Sequence, residues 1–137
     1  MNRLLLITLF ILVIISPVFA GDMLLDHAVI HHTASPDWSV NKIRRMHIDE
    51  NKWDDIGYHY VIRKDGTVEP GRPLNVKGAH ALGRNNWIGI VLTGYNTFTK
   101  VQILSLKKLL KDLHIKYVER HHERCPGPGL SIKELLK

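Results

Sequence analysis

Two pairs of adjacent histidines, His31-His32 and His121-His122, stand apart from the other histidines of the chain, and Cys125 follows His121 at the fourth position. Imidazole and thiolate are both zinc ligands, and a four-residue offset lets two side chains reach one ion, as paired histidines do in helical zinc motifs. Each histidine pair closes a segment that reads as a strand. Strand geometry turns neighbours to opposite faces, so one member of each pair can face a common site. Two imidazoles and one thiolate leave a fourth tetrahedral position for water, which is what separates a catalytic zinc site from a closed structural one. His27, His47 and His114 read as ordinary surface or half-buried residues.

The elements that must position these groups follow from local patterns. Leu25 to His32 alternates as a strand, with Val29 and His31 on one face and Ala28, Ile30 and His32 on the other. Beyond Ser35-Pro36, Ser39 can cap a helix whose stripe is Val40, Ile43 and Met46. Tyr58 to Arg63 and Thr67 to Glu69 flank Asp65-Gly66, a hairpin signal. Ile88 to Thr93 is a β-branched run suited to a buried central strand. Thr99 and Gln102 have capping-box spacing and open a helix to about Leu113, with Val101, Leu104, Leu109 and Leu113 expected inward. Ile115 to Arg120 reads as a further strand ending on His121, and Ser131 with Glu134 repeats the capping-box spacing before a short terminal helix. Strands and helices alternate without a Rossmann glycine fingerprint. The expectation is an α/β fold: one mixed β-sheet with helices packed against it, and both histidine-bearing strand ends at one side of the sheet, where ligand sites of such folds lie.

The chain has 137 residues, one domain by length. Residues 1–20 read as a signal peptide: Arg3 supplies a basic start, Leu4 to Ile15 is apolar, and Ser16-Pro17 precedes small residues at a cleavage position. The apolar run is shorter than the roughly 20 residues of a comfortable membrane span. Residues 21–137 then form the mature domain, and removal of Arg3 takes the formal charge from +6 to +5. A basic domain suits an anionic polymer such as a cell wall, a nucleic acid or a membrane surface. Cys125 is the sole cysteine. In an exported chain it cannot form an intramolecular disulfide, so it is free, intermolecular or a ligand.

An ordered series of phrases narrows these options. Ile30-His31-His32-Thr33-Ala34-Ser35 is followed by Trp53-Asp54-Asp55-Ile56-Gly57-Tyr58-His59-Tyr60-Val61-Ile62 and Lys64-Asp65-Gly66-Thr67-Val68. Gly71-Arg72-Pro73, Gly78-Ala79-His80-Ala81, Ile88-Gly89-Ile90, His121-His122-Glu123 and Cys125-Pro126-Gly127 come after them. The series resembles the zinc-dependent N-acetylmuramoyl-L-alanine amidases, the family shared by amidase-type phage lysozymes and peptidoglycan recognition proteins, over nearly all of residues 25–130. The resemblance implies that fold, Zn2+ held by His31, His121 and Cys125, a catalytic tyrosine at Tyr58, and His80 close to the substrate cleft.

The sequence also departs from the pattern. The segment between the second and third ligands holds only His122, Glu123 and Arg124, without the lysine usual before the cysteine, and Trp87 stands where serine is common. Arg124 can supply the missing positive charge, Glu123 can serve as a base, or water and Tyr58 suffice; Arg124 is the candidate carried forward. The implied activity is hydrolysis of the amide between N-acetylmuramic acid and L-alanine in peptidoglycan by a secreted or periplasmic monomer. Peptidoglycan is the expected partner, with no nucleic acid and no stable membrane association after signal cleavage. Arg63 and Arg72 are candidates for attracting the anionic glycan or stem peptide. The alternatives are a peptidoglycan-binding module without activity, which in relatives goes with loss of the cysteine, and an amidase of soluble anhydro-muropeptides.

Overall fold

The computed structural model describes residues 22–137, so the expected signal segment lies outside the described residues. Five strands form one sheet in the order β3-β2-β4-β1-β5, with β1 Leu24–His32, β2 Tyr60–Ile62, β3 Val68–Pro70, β4 Trp87–Leu92 and β5 Tyr117–Arg120. β1 runs parallel to both β4 and β5, β2 runs parallel to β4, and β3 alone is antiparallel, joined to β2 by the Asp65-Gly66 hairpin. A mixed sheet with helices against it is what the alternation of patterns implies.

The two faces divide by residue parity. Ala28, Ile30, Ile62, Ile88, Ile90 and Leu92 pack with Leu106 and Leu110 of α2 Lys100–Asp112. Val61 and Val91 point the other way and meet Ile43 of α1 Val40–Asp49 together with Ile56. β4 is buried on both faces, which is why Ile88–Leu92 is an almost continuous apolar run, and β1 is buried on both faces only over Ala28–His31. His31 stands on the α1 side of the sheet, in line with Val29.

Helix α2 corrects the expected inward face. Val101 and Leu104 are exposed, while Gln102, Leu106 and Leu110 form the buried stripe, with Leu109 and Leu113 partly buried beside it. The cause is Gln102. Its amide donates to the carbonyls of Ile62 (3.2 Å) and Thr93 (3.0 Å), while its oxygen completes the capping box with Thr99. One polar side chain thereby satisfies the Thr93 carbonyl, which would cost about 1–3 kcal/mol if left bare, and adds a bond to the Ile62 carbonyl, which also accepts the Thr93 backbone N–H. That demand rotates the helix. The expected terminal helix is reduced to a 3-10 turn, Ile132–Glu134, and Ser131 makes no side-chain cap. His47, expected at the surface or half-buried, is buried: its ring accepts the Gly57 backbone N–H at 3.0 Å.

Asp37 ties the loop after β1 to the sheet. Its carboxylate accepts from Arg63, from the Lys64 backbone N–H (2.9 Å) and from the Thr93 hydroxyl (2.6 Å). Hydrogen bonds from Arg63, joined by those of Thr93 and Lys64, hold its pKa at about 2 against an ordinary 3.8, although burial pushes the other way. A carboxyl whose pKa falls on folding stabilises the protein above its unfolded value, and that contribution is lost as pH falls from about 4 to about 2. Asp37→Asn should therefore lower stability at neutral pH and flatten the acid loss across that window, as read by urea unfolding at a series of pH values.

Candidate metal centre

Parallel pairing builds the site. Because β1 and β5 run side by side in the same direction, their C-terminal ends emerge together, and the backbone N–H of His121 donates to the carbonyl of Ile30 at 3.2 Å. This sets the His121 ring beside that of His31, with centroids 4.6 Å apart. The chain then reverses over Glu123 and Arg124. His122 and Cys125 exchange two backbone hydrogen bonds, 3.1 and 2.9 Å, so the short segment between the second and third ligands is a closed two-residue turn. It returns Cys125 to within 3.9 Å of His31 Nδ1, sulfur to nitrogen.

His31, His121 and Cys125 each offer one ligand atom, and these atoms lie within 4.8 Å of one another. Among the described residues this is the group able to hold a metal ion. Tetrahedral bonds of about 2.1 Å to nitrogen and about 2.3 Å to sulfur put donors roughly 3.5 Å apart, so the His31–Cys125 spacing already approaches a chelating one. Two imidazoles, one thiol and no carboxylate suit a borderline to soft ion. The residues fit the group.

Protonation agrees with this use. Burial, aided by His80 and His121, drives the His31 pKa down to about 2, and burial also lowers that of His121, so both rings offer lone pairs. Burial pushes the Cys125 thiol up, opposed by a hydrogen bond from the His32 backbone N–H at 3.4 Å. That N–H also steadies the thiolate a metal would bind. Tyr58 packs against His31 with centroids 5.2 Å apart. Burial, then the nearby Cys125, pushes its hydroxyl up to about 12, so it remains a hydrogen-bond donor at neutral pH.

The second member of each histidine pair turns elsewhere. The His32 ring lies 2.8 Å from the Pro126 carbonyl, and His122 Nδ1 accepts the Arg124 backbone N–H. His59 lies between the Val76 carbonyl and the Gly89 N–H. Arg124 and Glu123 are exposed in the turn. Arg63 and Arg72, considered for substrate attraction, are held by internal partners: Asp37 and Glu69 for the first; Ile56, Lys77 and Asp54 for the second. The cation that sequence reasoning missed is Arg84. It donates to the carbonyls of His121 (2.8 Å) and Arg120 (3.1 Å) and pairs with Glu119, and its charge lowers the pKa of His31, His80 and His121. No local signal marks it, since it lies in a loop far along the chain from the residues it serves.

The family model described as N-acetylmuramoyl-L-alanine amidase matches residues 21–128. The chain belongs to this amidase family. It hydrolyses the amide between N-acetylmuramic acid and L-alanine in peptidoglycan. The endolysin of Escherichia phage T7 is 39% identical over 126 residues, covering 79% of this chain and 83% of that protein. Peptidoglycan-recognition protein SC2 of Drosophila melanogaster is 43% identical over 129 residues, with 77% and 70% covered. Among solved structures, the N-acetylmuramoyl-L-alanine amidase LysC from Clostridium intestinale URNW superposes with a TM-score of 0.75 at 32% identity, covering 85% of each chain.

The donor set makes a direct prediction. His31→Ala, His121→Ala and Cys125→Ala should each abolish stoichiometric metal binding, whereas His32→Ala should keep most of it. Elemental analysis of the purified variants decides, and metal retained at one ion per chain in Cys125→Ala would remove the thiolate from the site.

Proposed function

We propose that this amidase works outside the cytoplasm with zinc held by His31, His121 and Cys125, and with Tyr58 as the catalytic hydrogen-bond donor. One observation carries the reading: two neutral imidazoles and a buried thiol, from residues far apart in sequence, meet beside a protonated tyrosine at the strand ends. When bound, the ion would acidify a water molecule and polarise the scissile carbonyl.

The protein's own groups supply the rest. The Tyr58 hydroxyl, kept protonated by its burial, would donate to the oxyanion that develops when water oxygen adds to the carbonyl carbon. Breaking the carbon–nitrogen bond then leaves a lactyl carboxylate on the sugar and a free amino group on L-alanine. The Arg124 guanidinium, exposed in the short turn, would meet the developing negative charge from the solvent side. Glu123 would have to act as a base in competition with water already acidified by the ion. Arg124 is therefore the stronger candidate.

Purified peptidoglycan should be cut to free muramyl lactyl groups and new alanine amino termini, identified by mass, and a chelator should stop the reaction until zinc is restored. Cleavage at full rate in metal-free enzyme would sink the reading. Tyr58→Phe should lower kcat by about 100-fold to 1000-fold, the range for losing one positioned oxyanion donor, with zinc content and folding intact. Arg124→Ala should lower turnover by about 10-fold to 1000-fold, and Glu123→Ala by less. A crippled Glu123→Ala beside a silent Arg124→Ala would install a base in place of the cation.

A further inference from the structure

His80 was expected to lie near substrate, yet it is buried in a slot walled by two glycines. A Cβ added at Gly78 would lie 2.4 Å from His80 Cδ2, and one added at Gly89 would lie 2.5 Å from the same atom. Only glycine at both positions leaves room for the ring. Its backbone is held as firmly: the N–H groups of His80 and Ala81 both donate to Asn85 Oδ1, at 2.8 and 2.9 Å.

Both ring nitrogens are engaged. His80 Nε2 lies 3.0 Å from the Trp87 carbonyl, and His80 Nδ1 lies 3.0 Å from His31 Nε2. A carbonyl can only accept, so the proton of the neutral His80 ring sits on Nε2 and its lone pair on Nδ1. That lone pair accepts from His31 only if His31 carries its proton on Nε2; otherwise two lone pairs would face each other. His31 is then left with its lone pair on Nδ1, the nitrogen that faces Cys125 Sγ. The chain of donors runs one way, from His31 through His80 to the backbone of β4.

We infer that His80 is a positioning residue, which transmits the constraint of the Trp87 carbonyl to His31 and presents His31 Nδ1 to the metal. The inference rests on His31 being a ligand, as proposed above. It makes the loop between β3 and β4 a part of the metal site, although it contributes no ligand. Partners of this kind fix ring orientation and tautomer, and removing one typically costs about 10-fold to 100-fold in metal affinity.

Long-range proton–nitrogen NMR of the metal-free protein with nitrogen-15-labelled histidine reads the tautomers without any substitution. His31 and His80 should both be protonated at Nε2; His31 protonated at Nδ1 overturns the inference. In competition titrations with a zinc chelator, His80→Leu should weaken zinc binding by about 10-fold to 100-fold. His80→Asn, whose amide oxygen can accept from His31, should recover most of that loss. Unchanged zinc affinity in folded His80→Leu, with only KM altered, would return His80 to a substrate-contact role and overturn the inference. Failure of the underlying metal reading looks different: wild type and His31→Ala would then bind zinc equally. If His80→Leu does not fold, the tautomers of the wild type decide alone.

Discussion

Everything at the site depends on the parallel pairing of β1 with β5. Sequence separation between His31 and Cys125 is large, and no local element could bring them together. The ladder does so by carrying two strands to the same side of the sheet, and its last rung, from His121 N–H to the Ile30 carbonyl, fixes the height of His121 against His31. β1 also pairs with β4 along its other side. His31 thus sits on a strand paired on both sides, and His121 and Cys125 are brought to it.

Near the site, histidines and arginines meet the polar needs of the backbone. His47, His59 and His80 each use ring nitrogens to hold backbone groups of neighbouring segments, and Arg72 and Arg84 do the same for carbonyls. Unpaired buried donors and acceptors are expensive, so loop segments packed beside the sheet need such side chains to hold their backbone groups. The high histidine content has two origins in consequence. Some rings face the metal position, and others fasten the loops that surround it.

The sequence was legible where a local rule applied. The strand alternation ending on His31, the capping box at Thr99 and the hairpin at Asp65-Gly66 are short-range signals, and the structure follows them. Strand geometry also allowed only one member of each histidine pair to face a common site, and the structure brings His31 and His121 together with Cys125. What could not be read were demands set by distant partners. Gln102 looks like a surface residue until the carbonyls of Ile62 and Thr93 are placed above it. Arg84 and His80 look like loop residues until β5 and β1 arrive beside them. Arg63 and Arg72 erred in the opposite sense: their charge suggested solvent and substrate, and Asp37, Glu69 and Asp54 take them instead.

The two-residue turn between His122 and Cys125 has a mechanical consequence. Two of the three donors are joined by so short a span that closing it costs little chain entropy, and both follow directly from the end of β5. That strand has only four residues and a single neighbour in the sheet. The third donor stands on β1, which is paired on both sides, with β4 and β5. An ion bound by all three would act as a staple between the edge strand and the strand inside it. Its escape would then be governed by how often β5 peels away, and the lifetime of the bound ion becomes a clock for that local opening.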